Sequence, residues 1–70
     1  MSNHQIDKLY QRCVEVYAKY QKMSIEDAAH ILKKYNAKVY IEEELSSMTD
    51  SSDKELYQHI DWFIEDCRSV

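Results

Sequence analysis

Two cysteines, three histidines and thirteen carboxylates are the side chains here with nucleophilic, acid–base or metal-ligating chemistry. A thiol nucleophile needs a base within hydrogen-bond reach. His59 and Cys67 are eight positions apart in one helical pattern, about 12 Å along the axis at 1.5 Å per residue, so they form no such pair. Asp27 and His30, and His59 and Asp66, share helix faces, but neither set supplies the three or four ligands of a metal site. With no glycine there is no phosphate-cradling loop. The residues therefore point away from catalysis, and no cofactor or metal is expected. Cys13 and Cys67 lie near opposite ends, without zinc-ligand spacing, and read as two buried free thiols of a reducing cytosol.

What remains is contact chemistry. "HIDWFIEDC" holds the only tryptophan, Trp62, between His59 and Asp66, and "YIEEEL" carries Glu42, Glu43 and Glu44 in a row. On a helical wheel with Leu56, Ile60, Phe63 and Cys67 at the centre of one face, Trp62 falls about 140° away, beside His59 and Asp66. Tryptophan is enriched at interface hot spots. Trp62, His59, Asp66, Glu42 and Glu43 are therefore the candidate partner-binding residues.

The elements that must position them are helices. The chain has neither glycine nor proline, so helix ends fall to Asn, Ser, Thr and Asp. Ile6, Leu9, Tyr10, Cys13, Val16, Tyr17 and Tyr20 recur at three- and four-residue spacing, which predicts a helix from about Asn3 to Gln21. Val14 lies about 100° from the centre of that face and widens it into an arc that a second copy of the chain can cover. Ser24 and Asp27 open a second helix with an approximate capping box; Ala28, Ala29, Leu32 and Tyr35 turn inward, and Asn36 is the expected left-handed cap. "KVYIEEEL" has a β-branched start, but Ile41, Leu45 and Met48 follow a helical stripe, predicting a short helix from about Lys38 to Ser47. Ser52 and Glu55 form a second capping box for a last helix from about Asp53 to Arg68, with Leu56, Ile60, Phe63, Ile64 and Cys67 inward. The reading is a single all-α domain over residues 1 to 70, a small bundle of about four helices with the third short. A core this small supplies about 3 to 5 kcal/mol.

Charge is divided: residues 1 to 35 carry a net +2 and residues 36 to 70 a net −6. The acidic half favours a partner protein with a basic surface and repels phosphate. A helix-turn-helix is the alternative outline for the second and third helices, but its groove-facing helix would present Glu42, Glu43 and Glu44, so no nucleic acid is expected. The longest apolar run, Val39-Tyr40-Ile41, cannot span a bilayer. A soluble cytoplasmic protein, with no membrane partner, is the expectation.

From Cys13 to Asp66, "CVEVYAKYQKMSIEDAAHILKKYNAKVYIEEEL" and then "LYQHIDWFIED" resemble a family of short bacterial proteins known as domain of unknown function 3791. The resemblance rests on Glu15, Tyr17 and Ala18, on Met23 and Ser24 at a helix start, on Lys33, Lys34 and Tyr35 at a helix end, and on Tyr40, Ile41, Ile60 and Asp61. The chain reads Ser47-Met48-Thr49 where that pattern carries Leu-His-Thr. The resemblance implies a small helical accessory protein, antitoxin-like, encoded beside a toxin-like ADP-ribosyltransferase homologue.

Overall fold

A computed structural model describes residues 4 to 48 and 50 to 69, with the side chain of His4 outside the description. Four helices follow in order: α1 (His4–Gln21), α2 (Ile25–Lys34), α3 (Ala37–Glu44) and α4 (Asp53–Arg68). The fold is all-helical, as the composition and spacing predict. The expected start of the first helix at Asn3 lies outside the described residues.

α1 is the hub, because α2, α3 and α4 all pack on it, and α3 also meets α2 and α4. This explains a difference from the helical wheel. Val14 is buried in the monomer rather than left for a second copy, and Ala18 is buried as well. A helix enclosed by three neighbours buries a wide arc, and its width depends on the neighbours. Tyr20, expected inward, is exposed instead: its ring stacks on Tyr57 of α4 at 4.6 Å and 18°. Gln21 Nε2 donates to the Tyr57 hydroxyl at 2.7 Å and to Asp61 at 3.3 Å, tying the C-terminal end of α1 to the middle of α4.

The helix ends follow the polar residues. Ser24 Oγ accepts from the Asp27 amide at 3.1 Å, and Ser52 Oγ from the Glu55 amide at 3.3 Å. Each supplies the forward half of a capping box. The return bond from Asp27 or Glu55 is not made among the described residues, so these are single caps rather than complete boxes. Asn36 takes the expected left-handed conformation, φ 57° and ψ 39°, and turns α2 directly into α3.

A second left-handed residue, Lys22 (φ 57°), ends α1. Its amide donates to the Lys19 carbonyl and the Met23 amide to the Ala18 carbonyl at 3.0 Å, the two bonds of a Schellman cap. A side chain with a Cβ is disfavoured here by about 1 to 2 kcal/mol, part of which glycine returns through its greater freedom when unfolded. Lys22→Gly is expected to stabilise the fold by about 0.5 to 1 kcal/mol and raise the melting temperature by several degrees. Calorimetry checks it, and a lower melting temperature contradicts the cap.

The third helix is shorter than expected, ending at Glu44 with Leu45 as its C-cap and Ser47 already in the turn. Its β-branched start is helical. Ile41 and Leu45 are buried and Met48 half-buried, so the stripe holds while the helix itself stops early. Three glutamates oppose the partial negative charge at that end, and no basic residue in the last turn offsets them. The connector to α4 is fastened by Arg12, which donates to the Ser51 carbonyl at 2.6 Å and to Asp53 at 2.9 Å.

In α4 the fully buried line is Leu56, Ile60 and Ile64. Phe63 and Cys67, expected at the centre of this face, flank it and are half-buried. Both cysteines are free, and only Cys13 is buried.

Candidate functional site

α3 and α4 pass each other in opposite directions. Tyr40 in the middle of α3 stacks on Phe63 of α4 at 4.4 Å and 15°, and Arg68 at the end of α4 reaches the Tyr35 hydroxyl just before α3. Between the helices runs an open groove of about 650 Å³, lined by Tyr35, Asn36, Val39, Tyr40, Glu43, Glu44, Trp62 and Phe63. The stacked Tyr40 and Phe63 rings, each half-buried, sit in the seam between the helices, while Val39 and Trp62 are exposed at 51% and 62%.

The position of Trp62 follows from helical geometry. It lies two residues after Ile60, the centre of the buried line, and so about 160° around the helix from it. Val39 is legible in the same way. The run Val39-Tyr40-Ile41 spreads over about 200° of a helix. With Ile41 in the core and Tyr40 at the seam, Val39 is left outside. The groove is thus where the two helices bring their surplus apolar residues together.

Its two ends differ in charge. At the Tyr35 end, Lys34 Nζ lies 5.5 Å from the Tyr35 ring centroid, and Arg68 pairs with Glu65 at 3.4 Å. At the other end stand Glu43 and Glu44, which make no ion pair among the described residues. Burial first, and then the charge of Glu44, push the Tyr40 hydroxyl above its ordinary pKa, so it stays a neutral donor and acceptor at physiological pH.

The structure brings together only part of the expected contact set. Trp62 and Glu43 line the groove, and Glu44 joins them. Glu42 is exposed but outside the groove; His59 and Asp66 are exposed on α4 and do not line it either. Tyr35, Asn36, Val39, Tyr40 and Phe63 also line it, and none of them is among the contact residues that the sequence suggests. Among the described residues no group of three or more His, Cys, Asp or Glu is placed to hold a metal ion. No described helix is long and apolar enough to cross a membrane.

Comparison with protein-family models, with curated proteins and with solved structures finds no match for this chain.

Proposed function

We propose that this protein is a protein-binding accessory module that engages the basic surface of another protein through the α3–α4 groove. The observation that carries the reading is the coincidence of an exposed tryptophan, an exposed valine and two carboxylates with no ion pair among the described residues around one open groove. Apolar side chains left out of so small a core are costly to keep in water, and a desolvated tryptophan is the residue type that most often dominates an interface. The resemblance of residues 13 to 66 to domain of unknown function 3791 supports the same class. On that resemblance the partner is a toxin-like enzyme and the role antitoxin-like. A helix-turn-helix reading is disfavoured, since α3 would carry Glu42, Glu43 and Glu44 toward phosphate. Self-association through α1 loses its main support with Val14 inside the monomer.

The test is co-purification from the native host, identification of the partner by mass spectrometry, and titration of the purified pair. Exposed Glu43 and Glu44 can be replaced with glutamine without touching the core. Glu43→Gln/Glu44→Gln is expected to leave the helical spectrum unchanged and the stability within about 0.5 kcal/mol of the parent. Affinity for the partner is expected to fall about tenfold, mostly at low salt. Unchanged affinity in both this variant and Trp62→Ala overturns the proposal.

A further inference from the structure

Resting on that reading, we propose that the groove recognises an arginine side chain of the partner, its guanidinium stacked on Trp62 and forked onto Glu43 or Glu44.

The groove has a charge gradient. Its Tyr35 end already carries Lys34 and an Arg68 paired with Glu65, so an incoming cation gains more at the carboxylates of Glu43 and Glu44, which have no ion pair among the described residues. The α3 C-terminus adds its partial negative charge at the same place. A cation seated there relieves two unfavourable terms together: the mutual repulsion of the glutamates and their opposition to the helix dipole.

The kind of cation follows from the shape of the groove. The aromatic residues Tyr40, Phe63 and Trp62 line a trough that is open to one side, whereas a methylated ammonium is best held by rings that surround it. An open aromatic wall beside consecutive carboxylates suits a flat, weakly hydrated guanidinium, which can stack with one face and donate two parallel hydrogen bonds from one edge. Lysine, a compact and strongly hydrated point charge, gains from the carboxylates but little from the ring. The occupant is not a second copy of this chain. Its only two arginines, Arg12 and Arg68, are already engaged with Asp53 and the Ser51 carbonyl, and with Glu65 and Tyr35.

Blocked hexa-arginine and hexa-lysine peptides carry the same charge, so comparing them separates stacking and forking from bulk attraction. Trp62 is the only tryptophan, and its fluorescence reports on the groove directly; calorimetry follows variants that lack it. Hexa-arginine is expected to bind about fivefold more tightly than hexa-lysine at physiological salt. Trp62→Ala is expected to abolish that preference, and Glu43→Gln/Glu44→Gln to weaken both peptides about tenfold. Equal affinities, no saturable binding of hexa-arginine, or an arginine preference that survives Trp62→Ala overturns the proposal. Such a result leaves the protein-binding reading standing if the natural partner still loses affinity in the groove variants. If the natural partner is indifferent to them while hexa-arginine keeps its preference, the groove's chemistry is right and its assignment to that partner is wrong.

Discussion

Ile60→Ala is expected to remove a large part of the fold's stability, about 2 to 5 kcal/mol, whereas Trp62→Ala, two residues further along the same helix, is expected to change stability by no more than about 0.5 to 1 kcal/mol. Ile60 is completely buried, on the α4 line that packs into the core around α1. Removing its three terminal carbons forfeits their transfer free energy and opens a cavity, together about 2 to 5 kcal/mol. The whole domain has about 3 to 5 kcal/mol to lose, so the substitution removes a large part or all of its stability. Trp62 is 62% exposed, and its deletion mostly removes apolar surface from water. Phe63 lies between these cases: half-buried and stacked on Tyr40, it is expected to cost about 2 kcal/mol when truncated. Urea unfolding followed by circular dichroism orders the three variants. In the parent, tryptophan emission at long wavelength with ready acrylamide quenching checks the exposure independently. A Trp62→Ala loss as large as that of Ile60→Ala makes the indole part of the core and removes the groove's principal residue.

The contrast between those neighbours was legible in the sequence because a helix turns 100° per residue and one apolar line is enough to orient it. Ala28 and Leu32 of α2, Ile41 of α3 and its cap residue Leu45 are legible in the same way, and all four are in the core. The same reasoning falls short for α1. The wheel identifies the direction of a buried face, but Val14 is covered and Tyr20 uncovered according to which helices lie alongside, and that is decided by tertiary packing. Asn36 is legible as a left-handed cap because asparagine tolerates that conformation. Lys22 is not, since nothing in a lysine side chain favours it; the bonds of the Met23 and Lys22 amides hold it there. The groove shows the same division. Trp62 and Glu43 could be nominated separately as outward-facing, but which of the exposed residues share a surface depends on α3 and α4 crossing antiparallel. His59 and Asp66, equally outward on the wheel, fall beyond the lining for that reason. Tyr40 and Phe63 are seam residues, and a pattern that sorts positions into inside and outside has no place for them.

Alkaline pH is expected to destabilise the protein through Cys13, and Cys13→Ala to remove the first part of that dependence. The thiol has no exposed surface, and burial, only partly offset by the charge of Arg12, pushes its pKa from the ordinary 9.0 up to about 12. A folded-state pKa above the unfolded one means that between these values the unfolded chain has released a proton that the native protein still holds. The unfolded state then binds fewer protons, so stability falls as pH rises. The contribution is complete below pH 9 and decays toward pH 12, at a slope approaching about 1.4 kcal/mol per pH unit. Tyr17, Tyr40 and Tyr57 are also shifted upward, chiefly by burial, and act with the same sign once unfolded tyrosine begins to ionise near its ordinary 10.0. The window in which Cys13 acts alone is therefore the unit just above pH 9. Across it, the urea midpoint of the parent is expected to fall steadily as pH rises. Cys13→Ala starts lower at neutral pH, by the cost of a small cavity, but its midpoint stays nearly flat over that unit. A Cys13→Ala profile as steep as the parent's there would place the thiol in contact with water and contradict the packing of α1 at the centre of the bundle.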